Sequence, residues 1–273
     1  MKPKLQRRIQ RYGWDKAADV YEGSWQAQLR PAHDVLLRLA HPLPTESVID
    51  IAAGTGLVTF RIAEQTGPGG RVFGTDISEE MVNRASRIAT QRGLRQVSFA
   101  RMGAEELDCD DNSFDLAICA FGLMYVPEPE TAMAEIHRVL KPQGRVAISV
   151  WGERNKCGWS EIFPIVDARV TSDVCPMFYQ LGTGRNLEIL LERSGFSDIL
   201  VEKIEPTIDY ASTREALDAA FAGGPVALPY EKFSLDTREA AHAEYLASIE
   251  PYRHGDGYRV PSQFVIALGR KSA

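Results

Sequence analysis

No apolar run in this sequence is long enough to cross a membrane as a helix. The longest, Leu116 to Val126, has eleven residues, about half of the roughly 20 that a bilayer requires. Cysteine is also scarce. Cys109, Cys119, Cys157 and Cys175 show no CxxC spacing, which argues against a disulfide framework and against a zinc site; Cys119, inside an apolar run, reads as a small core residue. Basic charge is not in excess: 37 acids against 31 Lys and Arg leave a net charge of −6, so the footprint of a nucleic-acid binder is missing. A basic start (Lys2, Lys4, Arg7, Arg8, Arg11) has no apolar segment behind it. It reads as a solvated stretch rather than a secretory leader, with phosphate or lipid binding as the alternative. Internal repeats and low-complexity tracts are lacking as well. These absences lead us to expect a soluble, cytoplasmic protein without a membrane span, a nucleic-acid partner or a metal. They leave the oligomeric state open.

What is present is an ordinary globular balance, 44% hydrophobic and 25% charged over 273 residues. That length suits one α/β domain with a smaller cap. Asp15 to Leu39 has helical apolar spacing, with a break or a new helix start expected at Pro31. Strand and helix patterns then alternate: strands at Ser47–Ala52, Arg71–Thr75, Val97–Arg101, Phe114–Phe121 and Arg145–Trp151, and helices at Val58–Gln65, Glu79–Arg92 and Glu128–Leu140. Five strands joined by helices imply a doubly wound parallel sheet. Further on come a helix at Asn186–Ser194 and strands at Ile199–Ile204 and Gln263–Gly269. About fifty residues lie between these strands, with helical patterns at Thr213–Ala222 and Asp236–Ile249. A structureless loop of that length is unusual, so a helical cap is expected there, with Trp159–Tyr179 as a second part. The expected division is 1–44 as N-terminal cap helices, 45–151 as the cofactor-binding core, and 152–273 completing the sheet, with cap insertions at about 152–185 and 206–258.

The chemistry centres on Val48-Ile-Asp-Ile-Ala-Ala-Gly-Thr-Gly56, a strand end running through a glycine turn into a helix. Glycine lets the backbone approach a ligand closely, and ligands bind at the carboxyl ends of such strands. Asp76 ends the second strand, twenty residues after Gly56, a distance suited to bonding ribose hydroxyls. NAD would use the same two elements. However, a dinucleotide fingerprint requires a third glycine where Thr59 stands, and the carboxylate of Asp50 would repel a pyrophosphate while attracting an ammonium group.

Asp50-x-Ala52-x-Gly54-x-Gly56 resembles motif I of the class I S-adenosylmethionine-dependent methyltransferases. Gly74-Thr-Asp-Ile-Ser78, Ala104-Glu-Glu-Leu107, Asp111-Asn-Ser-Phe-Asp115, Phe121-Gly-Leu123 and Arg138-Val-Leu-Lys-Pro142 continue the resemblance over about residues 45 to 150. The block looks most like the ubiquinone/menaquinone C-methyltransferase-like group. The resemblance implies a Rossmann-like, mostly parallel seven-stranded sheet with the last strand antiparallel, N-terminal helices, and a helical cap inserted before that strand. It implies S-adenosylmethionine as methyl donor, S-adenosylhomocysteine as product, and a small-molecule acceptor methylated at C, O or N. Tyr21, Asp50, Ala52, Ala53, Gly54, Thr55, Gly56, Asp76, Ile77, Met81, Gly103, Ala104, Glu105, Ala120 and Phe121 are the implied cofactor-binding residues. Two positions depart from the family pattern. Ala52 replaces the usual first glycine, and Gly103 stands where an Asp or Asn commonly meets the adenine amino group.

In-line transfer from an activated donor needs positioning above all, and a base only where the nucleophile must lose a proton. His254 is the candidate base, on an expected loop near the last strand, whereas His137 reads as structural. Tyr21 either contacts cofactor or acceptor or packs the cap. Trp151, Trp159, Phe163, Phe178, Tyr179, Phe221 and Tyr230 either line an apolar or aromatic acceptor pocket or form the cap's own core. Arg154, Lys156 and Arg185 either recognise an acidic group or are solvated. The competing functions are an NAD-dependent oxidoreductase and a non-catalytic cofactor-binding protein. A nucleic-acid or protein methyltransferase is disfavoured by the acidic balance and the lack of an Asn/Asp-Pro-Pro-Tyr/Phe motif.

Overall fold

The structure is a computed structural model describing residues 3–171, 175 and 177–272. Lys2 of the basic start, and positions 172–174 and 176 of the expected cap segment, lie outside the described residues.

Helix α1 (Pro3–Ala40) is continuous over 38 residues. Pro31, where a break was expected, lies inside it. Proline withdraws one donor from the helical ladder; Trp25 and Leu29 before it, and Ala32, Leu36 and Leu37 after it, are buried in one core and hold the axis through that point. The basic start also differs from the expectation: Arg7 and Arg11 are ion-paired, with Glu105 and Glu79 respectively.

The central part alternates β1 (Ser47–Ile51), α2 (Thr59–Thr66), β2 (Arg71–Asp76), α3 (Glu79–Gln91), β3 (Val97–Arg101), β4 (Phe114–Ala120), α4 (Pro129–Val139) and β5 (Leu140–Trp151). Two further helices, α5 (Ile162–Asp167) and α6 (Asn186–Arg193), lead to β6 (Phe196–Ile204). Local chemistry sets the boundaries. The Ser78 hydroxyl accepts from the Met81 N–H, with Glu79 and Glu80 in the first turn of α3, which places both a cap and negative charge at the positive helix end. Val48, Ile49, Leu116, Ala117 and Ile118 are fully buried, as strands covered by helices on both faces require.

After β6 come β7 (Thr207–Tyr210), α7 (Thr213–Leu217), a π-helical turn (Asp218–Ala222), α8 (Ala227–Glu231), α9 (Leu235–Ile249), β8 (Arg253–His254), β9 (Gly257–Pro261) and β10 (Phe264–Lys271). The seven-stranded sheet has the order β3-β2-β1-β4-β5-β10-β6, with β10 antiparallel to both neighbours. The cap is not helical throughout, as had been expected: β7, β9 and β8 form a three-stranded antiparallel sheet. Its period-two signal is short. Ile208, Tyr210, Tyr258 and Val260 are buried while Thr207, Asp209 and Arg259 face out.

From β1 the chain winds outward through β2 and β3, then returns to β4 on the other side. The carboxyl ends of β1 and β4 therefore flank a topological switch point, where open α/β sheets bind ligands.

Candidate active site

The loops after β1, β2 and β4 converge on a cleft roofed by α1. The turn after β1 is held open by left-handed backbone: Ala52, Gly54 and Gly56 have φ of 56°, 57° and 90°. At Gly56 a side chain is excluded twice over, because a Cβ there would also lie 2.6 Å from the Phe60 ring. Ala52 occupies a conformation that L-residues avoid. Its methyl is accommodated because residue 122 is glycine; a Cβ on Gly122 would come within 2.3 Å of the Ala52 Cβ. Phe121, beside it, is left-handed too, at φ 59°.

Two buried carboxyls sit behind this turn. Asp76, at the end of β2, accepts the Gly54 N–H at 2.9 Å and the Ser78 N–H at 2.8 Å. Burial pushes it up to about 6, against the lowering effect of those two bonds. Each oxygen keeps lone-pair capacity facing the cleft that Asp76 lines. Asp50 in β1 accepts the Thr59 hydroxyl at 2.6 Å through one oxygen, and its Oδ1 is buried without a partner. Burial pushes Asp50 up to about 7; the Thr59 bond lowers it and the Asp76 charge adds to the rise. Thr59 thus has a role of its own: the residue that occupies the third-glycine position orients the acid of β1. The pairing of a threonine with an acid nine residues earlier is the signal that could have revealed it.

These shifts carry a pH dependence. Both carboxyls hold protons more tightly folded than unfolded, where an aspartate titrates near 3.9. The folded state therefore binds more protons between about pH 4 and 7, and these two groups add stability as pH falls through that window. Binding of a ribose diol to ionised Asp76 runs the other way. S-adenosylhomocysteine affinity should weaken up to about tenfold per pH unit below 6, the value about which Asp76 titrates; calorimetric titration from pH 7.5 to 5 checks this, and a flat profile would contradict it.

Among the implied cofactor residues, Tyr21, Ala52, Gly54, Asp76, Ile77, Met81, Ala104, Glu105, Ala120 and Phe121 line the cleft. Asp50, Ala53, Thr55, Gly56 and Gly103 are not on its wall; the first four build the turn behind it, and Met102 takes the wall position next to Gly103. Tyr21 Cε1 would lie 3.8 Å from a Cβ on Gly54, so the ring covers the turn. Burial, with Asp76 and Asp50 nearby, raises the Tyr21 phenol well above its ordinary range, so it is a neutral donor rather than a base. His254 is exposed on β8 and does not join the cleft wall. Arg154, Lys156 and Arg185 are paired at the surface with Glu161, Glu205 and Glu188.

Of the cap aromatics, Trp151 and Trp159 line the cleft. Phe163, Phe178 and Tyr179 pack around Trp159, while Phe221 and Tyr230 pack with His242. Sequence reasoning missed most of the contribution of α1 to the wall: Arg7, Gln10, Trp14 and Trp25. Arg7 closes the rim, its guanidinium donating to Glu105 at 2.8 and 3.0 Å and to Glu128. Asp15 ties α1 to α3 by accepting the Ser78 hydroxyl at 2.6 Å. The empty space of the cleft, counted out to where it opens to solvent, is about 950 Å³. Among the described residues no group of three His, Cys, Asp or Glu could hold a metal ion, and no helix is long and apolar enough to cross a membrane.

The family described as "Methyltransferase domain" matches residues 43–165. Demethylmenaquinone methyltransferase of Lactobacillus johnsonii is 31% identical over 170 residues, 57% of this chain and 70% of that one. The chain belongs to the S-adenosylmethionine-dependent methyltransferases. Nocamycin O-methyltransferase of Saccharothrix syringae is 32% identical over 136 residues, which is about half of each chain. In three dimensions the YcgJ protein of Bacillus subtilis superposes with a TM-score of 0.63 at 18% identity, covering 89% of this chain and 99% of that one; this likeness shows the shared fold. The buried, partnerless Asp50 Oδ1 and the open lone pairs of Asp76 suit a donor that carries an ammonium group and a ribose. A methyltransferase of this family takes its methyl group from S-adenosylmethionine, which decides between the methyl-donor and dinucleotide readings.

Proposed function

We propose that this chain methylates a small molecule with an apolar or aromatic body. Residues 45–151 would hold the donor, and α1 with the segments at about 152–185 and 206–258 would shape the acceptor site. The observation that carries this reading is the polarity gradient of one cleft. Asp76 is bonded to Gly54 in one stretch of its lining, while Trp25, Phe121, Trp151 and Trp159 pack against one another in another. Asp76 would take the ribose hydroxyls, Asp50 would attract the ammonium group, and Ile77, Met81 and Met102 would pack the adenine. When bound, the sulfonium supplies an already activated methyl group. Asp50, Gly54, Gly56 and Tyr21 would fix its position, and the ring wall would exclude water and orient the acceptor.

Among the described residues of the wall, none at the aromatic end is free to act as a base. Burial holds the phenols of Tyr21 and Tyr125 protonated, and Glu105 is engaged by Arg7. The reacting atom would therefore arrive ionised or intrinsically nucleophilic, and the rate should follow the acceptor's own pKa. The test is S-adenosylhomocysteine release with S-adenosylmethionine and a panel of 1,4-dihydroxynaphthalene, simple phenols and phosphoethanolamine. Turnover of the ring compounds is expected. Turnover of phosphoethanolamine alone would defeat the reading. A cytoplasmic setting, with four unpaired cysteines, accompanies this proposal.

Gly103 offers a second check. A Cβ there meets nothing within 4 Å, so Gly103→Asp can add a carboxylate without a clash. Adenine affinity should rise about three- to tenfold, the net effect of one ordinary hydrogen bond. Unchanged or weaker S-adenosylhomocysteine binding by calorimetry would count against the adenine placement.

A further inference from the structure

Trp159 stands on the aromatic part of the cleft wall, 1% exposed, and its indole Nε1–H has no hydrogen-bond partner among the described residues. The neighbouring Trp25 indole, by contrast, donates to the Gly223 carbonyl at 2.9 Å. Folded proteins rarely bury such a donor unmatched, because it has given up its bond to water. The side chains around Trp159 do not supply the missing acceptor. Trp151, Trp25, Phe178 and Phe163 pack on it with ring centroids at 4.6, 5.8, 5.7 and 5.8 Å, and none carries a ready lone pair; Tyr179, at 6.5 Å, brings a hydroxyl, but that hydroxyl is not bonded to the indole. Tyr179, Tyr210 and Tyr245 also bury unmatched hydroxyls, but they are not on the cleft wall. Trp159 is therefore an unsatisfied donor in the part of the cleft assigned above to the acceptor.

We propose that Trp159 orients the acceptor: its Nε1–H donates to an oxygen on the acceptor ring and thereby turns the ring's reacting atom toward the methyl donor. This rests on the methyltransferase reading and narrows it to oxygen-bearing rings. A site whose buried donor is matched by the ligand rejects the analogue that lacks the oxygen, because the donor is then left unpaired.

The probes are 1-naphthol and naphthalene, which differ by that oxygen, titrated into the protein loaded with S-adenosylhomocysteine. The four tryptophans give separate indole signals in a ¹H–¹⁵N spectrum, and Trp159→Phe assigns one of them. The expected result is a downfield shift of the Trp159 signal with 1-naphthol and not with naphthalene. 1-Naphthol should bind about tenfold more tightly than naphthalene, and this preference should vanish in Trp159→Phe while S-adenosylhomocysteine affinity is unchanged. If Trp159→Phe does not fold, Trp14→Phe, Trp25→Phe and Trp151→Phe assign the signal by elimination, and the wild-type shift and preference carry the test. An unmoved indole signal, a preference that survives in Trp159→Phe, or equal weakening of both probes would overturn the proposal. Absence of S-adenosylhomocysteine binding to the wild-type chain would overturn the underlying reading, and a separate titration of that ligand distinguishes the two failures.

Discussion

Replacing Asp76 by alanine is expected to lower S-adenosylmethionine affinity by more than 100-fold while leaving the fold nearly as stable. Hydrogen bonds to a charged group contribute about 1.5–3 kcal/mol each, and two ribose hydroxyls would lose theirs together, about 3–6 kcal/mol or two to four decades in Kd. Stability responds differently. Burial raises Asp76 to about 6, so ionising it costs more in the folded protein than in the unfolded chain. The variant gives up the bonds from Gly54 and Ser78 but also relieves a buried carboxylate. Calorimetry and thermal unfolding separate the two effects. Asp76→Asn, which keeps the shape and one acceptor oxygen, should fall between wild type and alanine. Retained affinity in Asp76→Ala would remove the ribose assignment.

The second large effect is expected at the contact between two loops. A Cβ added at Gly122 would lie 2.3 Å from the Ala52 Cβ and 3.1 Å from Cys119 Sγ. Ala52 cannot retreat easily, because its left-handed backbone belongs to the turn that carries Gly54 and Gly56. Gly122→Ala should cost about 2–3 kcal/mol, the upper range for overpacking, and should weaken cofactor binding through the displaced turn. Ala52→Gly alone should be neutral or slightly stabilising, since it relieves about 1 kcal/mol of backbone strain. In the double variant the facing methyl is gone, so most of the loss should be recovered. A coupling of about 2 kcal/mol in a double-mutant cycle is the expected signature of direct contact; strictly additive effects would show that the loops do not press on each other. In this chain the methyl of Ala52 on the first loop is matched by a glycine at 122 on the facing one.

Much of the core was legible because its signals are local. Buried parallel strands read as short apolar runs, and Gly67 and Ser78 punctuate them. Most boundaries moved by a residue or two, but α1 already begins at Pro3, β5 at Leu140 and β6 at Phe196. Other features were less legible. Pro31 was read as a break because a proline's local cost is visible in sequence while the burial that outweighs it is not. The small cap sheet escaped because β7, β8 and β9 have four, two and five residues, too few for alternation to stand out. Arg7 and Trp25 gave no signal as site residues, since their positions on the cleft come from where α1 lies on the core.

The sequence alone was sufficient to identify a methyl-donor fold and to name Asp50, Gly54, Gly56 and Asp76. Turn geometry and the placement of an acid at a strand end depend on neighbours in the chain, so they are written in spacing. Only the tertiary structure decided which residues meet across the cleft. It placed His254 off the cleft wall, brought Arg7 to Glu105, and left the Trp159 indole without a partner. Those outcomes follow from long-range packing of α1 and the cap onto the sheet, which no local pattern encodes.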